Sequence, residues 1–111
     1  MEIQEQKQGA VTILKPMGAL IEPEARMFKQ QATETATKSM GRVIIDASAI
    51  AFLDSSGVEA LVDLADQVSQ SGRALKLCGA NETVREVLEL TGWSHAIEHF
   101  SDVNTGVRSF L

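Results

Sequence analysis

The chain has 111 residues, 44% of them hydrophobic and 23% charged, with a net charge of −5. That length suits one domain spanning residues 1–111, and an acidic balance with dispersed Lys and Arg argues against a nucleic-acid surface. A single cysteine, Cys78, excludes an internal disulfide framework, and no apolar run approaches the roughly 20 residues of a membrane span. The polar, acidic start Met1-Glu2-Ile3-Gln4-Glu5 is unlike a secretory signal, so a cytoplasmic location is expected.

In chain order, Ile3 to Gln8 reads as an edge strand that turns at Gly9 into a second strand, Ala10 to Lys15, rich in β-branched residues. The pair suggests an antiparallel hairpin. Pro23 opens a first helix that runs to about Met40, with Pro23 in the first turn and Gly41 as its stop. Its inward stripe is thin: Ala25, Phe28, Ala32 and Ala36, with Met27 outside. Arg42 to Ala47 is a central strand, since the continuous apolar run Val43-Ile44-Ile45 suits burial on both faces. Val58, Leu61, Leu64, Ala65 and Val68 then recur at helical spacing, giving a second helix from Ser56 to Ser71 that stops at Gly72.

Arg73 to Cys78 forms another core strand, and Asn81 caps a third helix, Glu82 to Thr91, which buries Val84, Val87, Leu88 and Thr91 and ends at Gly92. Ala96 to Phe100 is a last short strand, and Asp102 caps a final helix carrying Val103, Val107 and Phe110. The order β-β-α-β-α-β-α-β-α predicts an α/β fold with a mixed, mainly parallel sheet and helices packed on it.

The chemistry concentrates in Asp54-Ser55-Ser56-Gly57, the small polar segment that precedes the second helix. Ser56-Gly57-Val58-Glu59 matches a capping box, a hydroxyl at the cap and a carboxylate three residues on. On that reading Ser56 caps the helix, and Ser55 lies one residue outside it, near the free N–H groups of the first turn. Asp54 orients the serine hydroxyl or closes an Asx-type turn. Gly57 permits close approach of a partner's backbone.

The segment Val43 to Gly57, followed by an amphipathic helix, resembles the centre of a STAS domain, the fold of anti-sigma factor antagonists. The resemblance continues through Gly72-Arg73-Ala74-Leu75-Lys76-Leu77 and Val84-Arg85-Glu86-Val87-Leu88-Glu89-Leu90-Thr91-Gly92. It implies that Ser55 is a phosphorylation site, and that Asp54, Ser55, Ser56, Gly57 and Glu59 border a partner surface. The implied partners are an anti-sigma factor that is also a serine kinase, whose binding frees a sigma factor, and a PPM-type phosphatase that resets the switch. A phosphate would add about −1.5 to −2 charges at that surface.

Two positions depart from the family pattern. Glu59 stands where many members have a small residue, and Ile21 stands where an Asp often follows Gly-x-Leu. Both leave room for a second role on the same fold: a constitutive subunit of a lipid-transport ABC system or of a stress-sensing scaffold.

Neither reading needs a metal, a cofactor or catalysis. Asp46 and Asp54 are too few oxygen ligands for a hard cation. His95 and His99 lack a second ligand pair and read as surface residues, while Cys78 packs. A serine nucleophile would need a base within reach, and the Gly-x-Ser-x-Gly elbow is absent. Trp93 is open to two readings, a lid on the core or an exposed contact.

Overall fold

Val43, Ile44 and Ile45 become the middle of a sheet in the computed structural model, which describes residues 1–111, and all three are fully buried. The strands are β1 (Glu2–Gln8), β2 (Val11–Leu20), β3 (Val43–Asp46), β4 (Ile50–Leu53), β5 (Leu75–Cys78) and β6 (Ile97–Phe100). The helices are α1 (Glu24–Lys38), α2 (Ser55–Ser69), α3 (Glu82–Leu90) and α4 (Val103–Arg108), with a 3₁₀ turn at Ser94–Ala96. The main sheet runs β1-β2-β3-β5-β6; β1 is antiparallel to β2 and the other pairs are parallel. The expected mixed, mainly parallel α/β sheet is therefore present. No helix is long and apolar enough to cross a membrane.

Strand β2 departs most from the sequence reading. It continues through Pro16 and Gly18 to Leu20, and its two halves pair with different strands. Thr12 to Leu14 lie beside β3, whereas Gly18 and Leu20 lie beside β4, with a register shift between them. Gly18 adopts φ +108°, a conformation side chains disfavour, and it breaks the regular ladder there. Strand β4 was not foreseen in the sequence. It has four residues, of which only Ile50 and Leu53 are buried, too short for alternation to stand out.

Alternation along each strand sends side chains to two unequal cores. On one face, 22 buried residues pack under α1, α2 and α3, among them Phe28, Leu61, Leu64, Val84 and Leu88. Ala25, Phe28, Ala32 and Ala36 do form the buried stripe of α1, and Met27 is exposed. On the other face the buried hydrophobic cluster has only four members, Val11, Ile13, Ile44 and Cys78, beneath Phe100, Val103, Val107 and Phe110. Asn81 and Asp102 cap α3 and α4 as read, accepting from the N–H groups of Val84 and Thr105 at 2.8 Å each. The Thr105 bond holds the Asp102 carboxyl below the usual carboxylate range. Pro23 stands at the cap position of α1 rather than in its first turn. Thr91 is exposed, not buried; its hydroxyl donates to the Val87 carbonyl at 2.7 Å, which satisfies it at the helix end.

Lys76, on the smaller face, is 8% exposed. Its ammonium reaches Glu98 at 2.6 Å and lies 5.3 Å and 4.7 Å from the ring centres of Phe100 and Phe110. Pairing and ring contact keep a buried cation tolerable. Burial pushes the Cys78 thiol up to about 11, reinforced by Asp46 and Asp102, so Cys78 packs as a neutral thiol.

Candidate functional site

The short strand β4 delivers Leu53 and Asp54 to the start of α2. The Asp54 N–H points at the Leu20 carbonyl at 3.4 Å, which extends the β2–β4 pairing to the helix cap. One carboxylate oxygen of Asp54 accepts from the Gly57 N–H at 2.9 Å, and the other from the Glu22 N–H at 3.4 Å. Asp54 is thus the cap of α2, and it also ties the helix to the segment entering α1.

The capping box expected at Ser56 and Glu59 does not form. Ser55 and Ser56 are the first two helical residues, and Glu59 is the fifth, exposed and too far along the helix to reach the cap. Replacing Asp54 by Ala is expected to cost about 1–2 kcal/mol, and Asp54→Asn much less because it keeps an acceptor. Urea denaturation of the two variants measures the difference.

With the cap two residues earlier, Ser55 lies within the helix rather than outside it. It remains exposed, and its hydroxyl makes no hydrogen bond within the chain. The N–H groups of Ser55 and Ser56 also have no partner in the chain, because Asp54 satisfies those of Gly57 and Val58. Ser55 therefore presents a free hydroxyl beside two free donors at the positive end of a 15-residue helix.

Gly57 is buried, and the close approach it permits is internal. A Cβ there would overlap the Leu20 carbonyl oxygen and lie 2.7 Å from the Leu53 Cβ. Gly57 lets α2 settle against the ends of β2 and β4, which fixes where Ser55 emerges.

Beside Ser55, a groove of about 340 Å³ runs between α1 and α2. Glu22, Arg26 and Lys29 line it from α1 and its approach; Ser56 and Glu59 line it from α2. Both cations are engaged: Arg26 with Glu22, and Lys29 with Asp63 at 2.7 Å. The bond to Asp63 holds the Lys29 ammonium above its ordinary range. The structure thus brings Asp54, Ser55, Ser56 and Glu59 to one surface and places Gly57 beneath it.

Other candidate positions lie elsewhere. The Asp46 carboxylate accepts from the Ser48 N–H at 3.1 Å, a turn contact. His95 is exposed, but His99 is only half-exposed, since β6 carries it against Ser94. Trp93 is 40% exposed and follows Leu90, which is 85% exposed, so it is no lid on the core.

Comparison with known proteins finds the same architecture repeatedly. A crystallised anti-sigma factor antagonist from Mycobacterium paratuberculosis is 17% identical, with a TM-score of 0.85 over 97% of this chain and 92% of that one. A STAS domain anti-sigma-factor antagonist from Planctomyces limnophilus is 21% identical, with a TM-score of 0.81 over 96% of each chain. The Bacillus cell-fate determinant SpoIIAA in its phosphorylated form is 14% identical, with a TM-score of 0.74 over 99% of this chain and 100% of that one. A search of curated protein sequences finds no match. The TM-scores establish a shared fold. The STAS domain family model matches residues 2–106, nearly the whole chain, and with the sheet order and the Asp54-Ser55-Ser56-Gly57 helix start in place, the chain belongs to the STAS domain family.

Proposed function

We propose that the protein is a phosphorylation-switched anti-sigma factor antagonist, with Ser55 as the acceptor. The observation that carries this reading is the free, exposed Ser55 hydroxyl at the first position of α2 in a STAS fold. The unmodified protein would bind an anti-sigma factor with serine-kinase activity through the surface around Asp54, Ser55, Ser56 and Glu59, and so release a sigma factor. Gly57 would serve that surface from below, by fixing the helix against Leu20. A PPM-type phosphatase would restore the switch in the cytoplasm. Two structural neighbours that carry the antagonist name, and a third solved in phosphorylated form, support the reading.

The physical basis is a local change of charge. Before modification, the helix start offers free N–H donors between the carboxylates of Asp54 and Glu59. A phosphate on Ser55 would be welcomed by those donors and repelled by the flanking acids. A docked partner would face roughly two added negative charges where it previously met a hydroxyl. The chain itself needs no catalytic group for this role.

Mass spectrometry after incubation with ATP and each anti-sigma-type kinase of the host tests the proposal. One phosphate on the wild type, absent from Ser55→Ala, is the expected result. No phosphate with any kinase, or an unchanged phosphate on Ser55→Ala, would overturn it. Binding to a transporter ATPase or a scaffold, unaffected by Ser55→Ala, would assign the constitutive-subunit role instead.

A further inference from the structure

Strand β1 is the longest open edge of the sheet. It pairs with β2 on one side and with no strand on the other. Its seven residues are exposed or half-buried throughout, whereas the opposite edge, β6, has only four residues. The phase of its backbone follows from β2. The Thr12 N–H donates to the Arg42 carbonyl at 2.9 Å, so it points toward β3 and away from β1. Lys7 lies opposite Thr12. Opposed residues of an antiparallel pair exchange both hydrogen bonds or neither, so Lys7 turns its own N–H and C=O to the open edge. Glu5 and Ile3 do the same at two-residue steps. Pro16, which has no N–H to give, stands opposite Ile3, in keeping with that phase.

The side chains alternate in the same steps. Gln4, Gln6 and Gln8 border a recess beside Val103 and Asn104 of α4, while Glu5 and Lys7 border one beside Thr35 and Lys38 of α1. Neither Glu5 nor Lys7 has an ion-pair partner in the chain. Across the hairpin they face Leu14 and Thr12, which carry no charge. An acid and a base two residues apart, both on outward-turned backbone, complement a copy of the same strand running the other way.

We propose that β1 is a homodimer edge, pairing antiparallel with β1 of a second copy about a two-fold axis at Gln6. In that register Glu5 lies opposite Lys7 of the second copy, and Lys7 opposite its Glu5. Each pair exchanges two backbone hydrogen bonds and adds an opposite-charge contact. On the other face Gln6 meets Gln6 and Gln4 meets Gln8, amides that both donate and accept. The remaining two-fold registers that join outward groups fail on charge. Centring on Glu5 sets acid against acid, and centring on Lys7 sets ammonium against ammonium; like charges directly opposite are destabilising. Centring nearer Ile3 leaves Glu5 opposite Ile3 or Met1. The ladder spans only Gln4 to Gln8 of each copy, so the dimer is reversible and concentration-dependent. It contains no residue of the Ser55 surface, so it stands or falls separately from the switch.

Sedimentation equilibrium of the full chain over a concentration series tests this, with amide hydrogen exchange to locate the contact. A monomer–dimer equilibrium is expected. The Glu5 and Lys7 amides should exchange freely in dilute solution and gain protection as the dimer forms, while the Gln6 amide, already turned to β2, is protected throughout. Lys7→Glu sets acid against acid twice and should weaken association about tenfold or more. Glu5→Lys should do the same, and the two changes together should restore it, while Ser55→Ala leaves association unaltered. Both positions are exposed, so an unchanged urea midpoint in dilute solution will show that the variants are folded. A monomer at every concentration, an open-ended assembly, a dimer that Lys7→Glu leaves intact, or a double variant no tighter than the single ones would overturn the proposal.

Discussion

Replacing Gly57 by Ala is expected to destabilise the domain by about 2–3 kcal/mol, the cost of forcing an extra carbon into a packed site. In most helix interiors the same change is favourable by about 1 kcal/mol, because Ala restricts the unfolded chain and Gly does not. Here the geometry reverses the sign. The new Cβ would overlap the Leu20 carbonyl oxygen, which is backbone and cannot swing aside, and would press on Leu53 at 2.7 Å. Relief requires α2 to lift from β2 and β4, which strains the Asp54 contacts to Leu20 and Gly57. Urea denaturation of Gly57→Ala beside Ser56→Ala checks this. Ser56 is one residue away and only partly buried, and its variant should stay within about 0.5 kcal/mol of the wild type. Equal stability of the two variants would mean that α2 does not sit as tightly on Leu20 as the structure has it.

Phe28→Ala is expected to cost more, about 3–5 kcal/mol. The reason lies in the composition of α1. Its buried face is three alanines and one large side chain, so Phe28 supplies nearly all the apolar volume that holds α1 to the sheet and to α2. Phe28 is completely enclosed, and its neighbours along the stripe are too small to collapse into the void. A domain of this size has roughly 5–15 kcal/mol of stability in total, so the variant should sit near the unfolding threshold at room temperature. Met27→Ala, one residue away but 55% exposed, should change stability by no more than about 0.5 kcal/mol. Chemical denaturation of the pair separates a packing loss from a general effect on helix propensity.

The broad architecture could be read from the sequence because its signals are long or repeated. Val43-Ile44-Ile45 announced a buried strand, the spacing of Val58 to Val68 announced a helix, and Gly41, Gly72 and Gly92 each follow a helix, at φ near +80°. The helix start was harder. Asp54, Ser55 and Ser56 are all good caps by residue type, and the capping-box pattern favoured Ser56. Tertiary contacts decide for Asp54, since Leu20 holds its N–H and Gly57 must lie flat against the same carbonyl. Strand β4 was obscured for a related reason. Its pairing partner is the far half of β2, and no local pattern shows that a strand will continue past Pro16 and Gly18 to receive it. Lys76 reads as an ordinary polar residue in a strand. Only the fold brings Glu98 and two phenylalanine rings to it.

The inequality of the two cores has a consequence for how the molecule comes apart. Opening free energies are not uniform across a domain; they follow the apolar contacts that each unit must surrender. The layer made by α1, α2 and α3 shares one network of 22 buried residues, so it can be lost only as a whole. The six-residue α4 covers a separate cluster of only four. It can detach as a separate foldon while the rest stays native. In that partly open species Lys76 loses Phe110, and the Cys78 thiol meets solvent, yet Ser55 keeps its place on α2. Damage or fluctuation at α4 is thereby insulated from the surface at the start of α2.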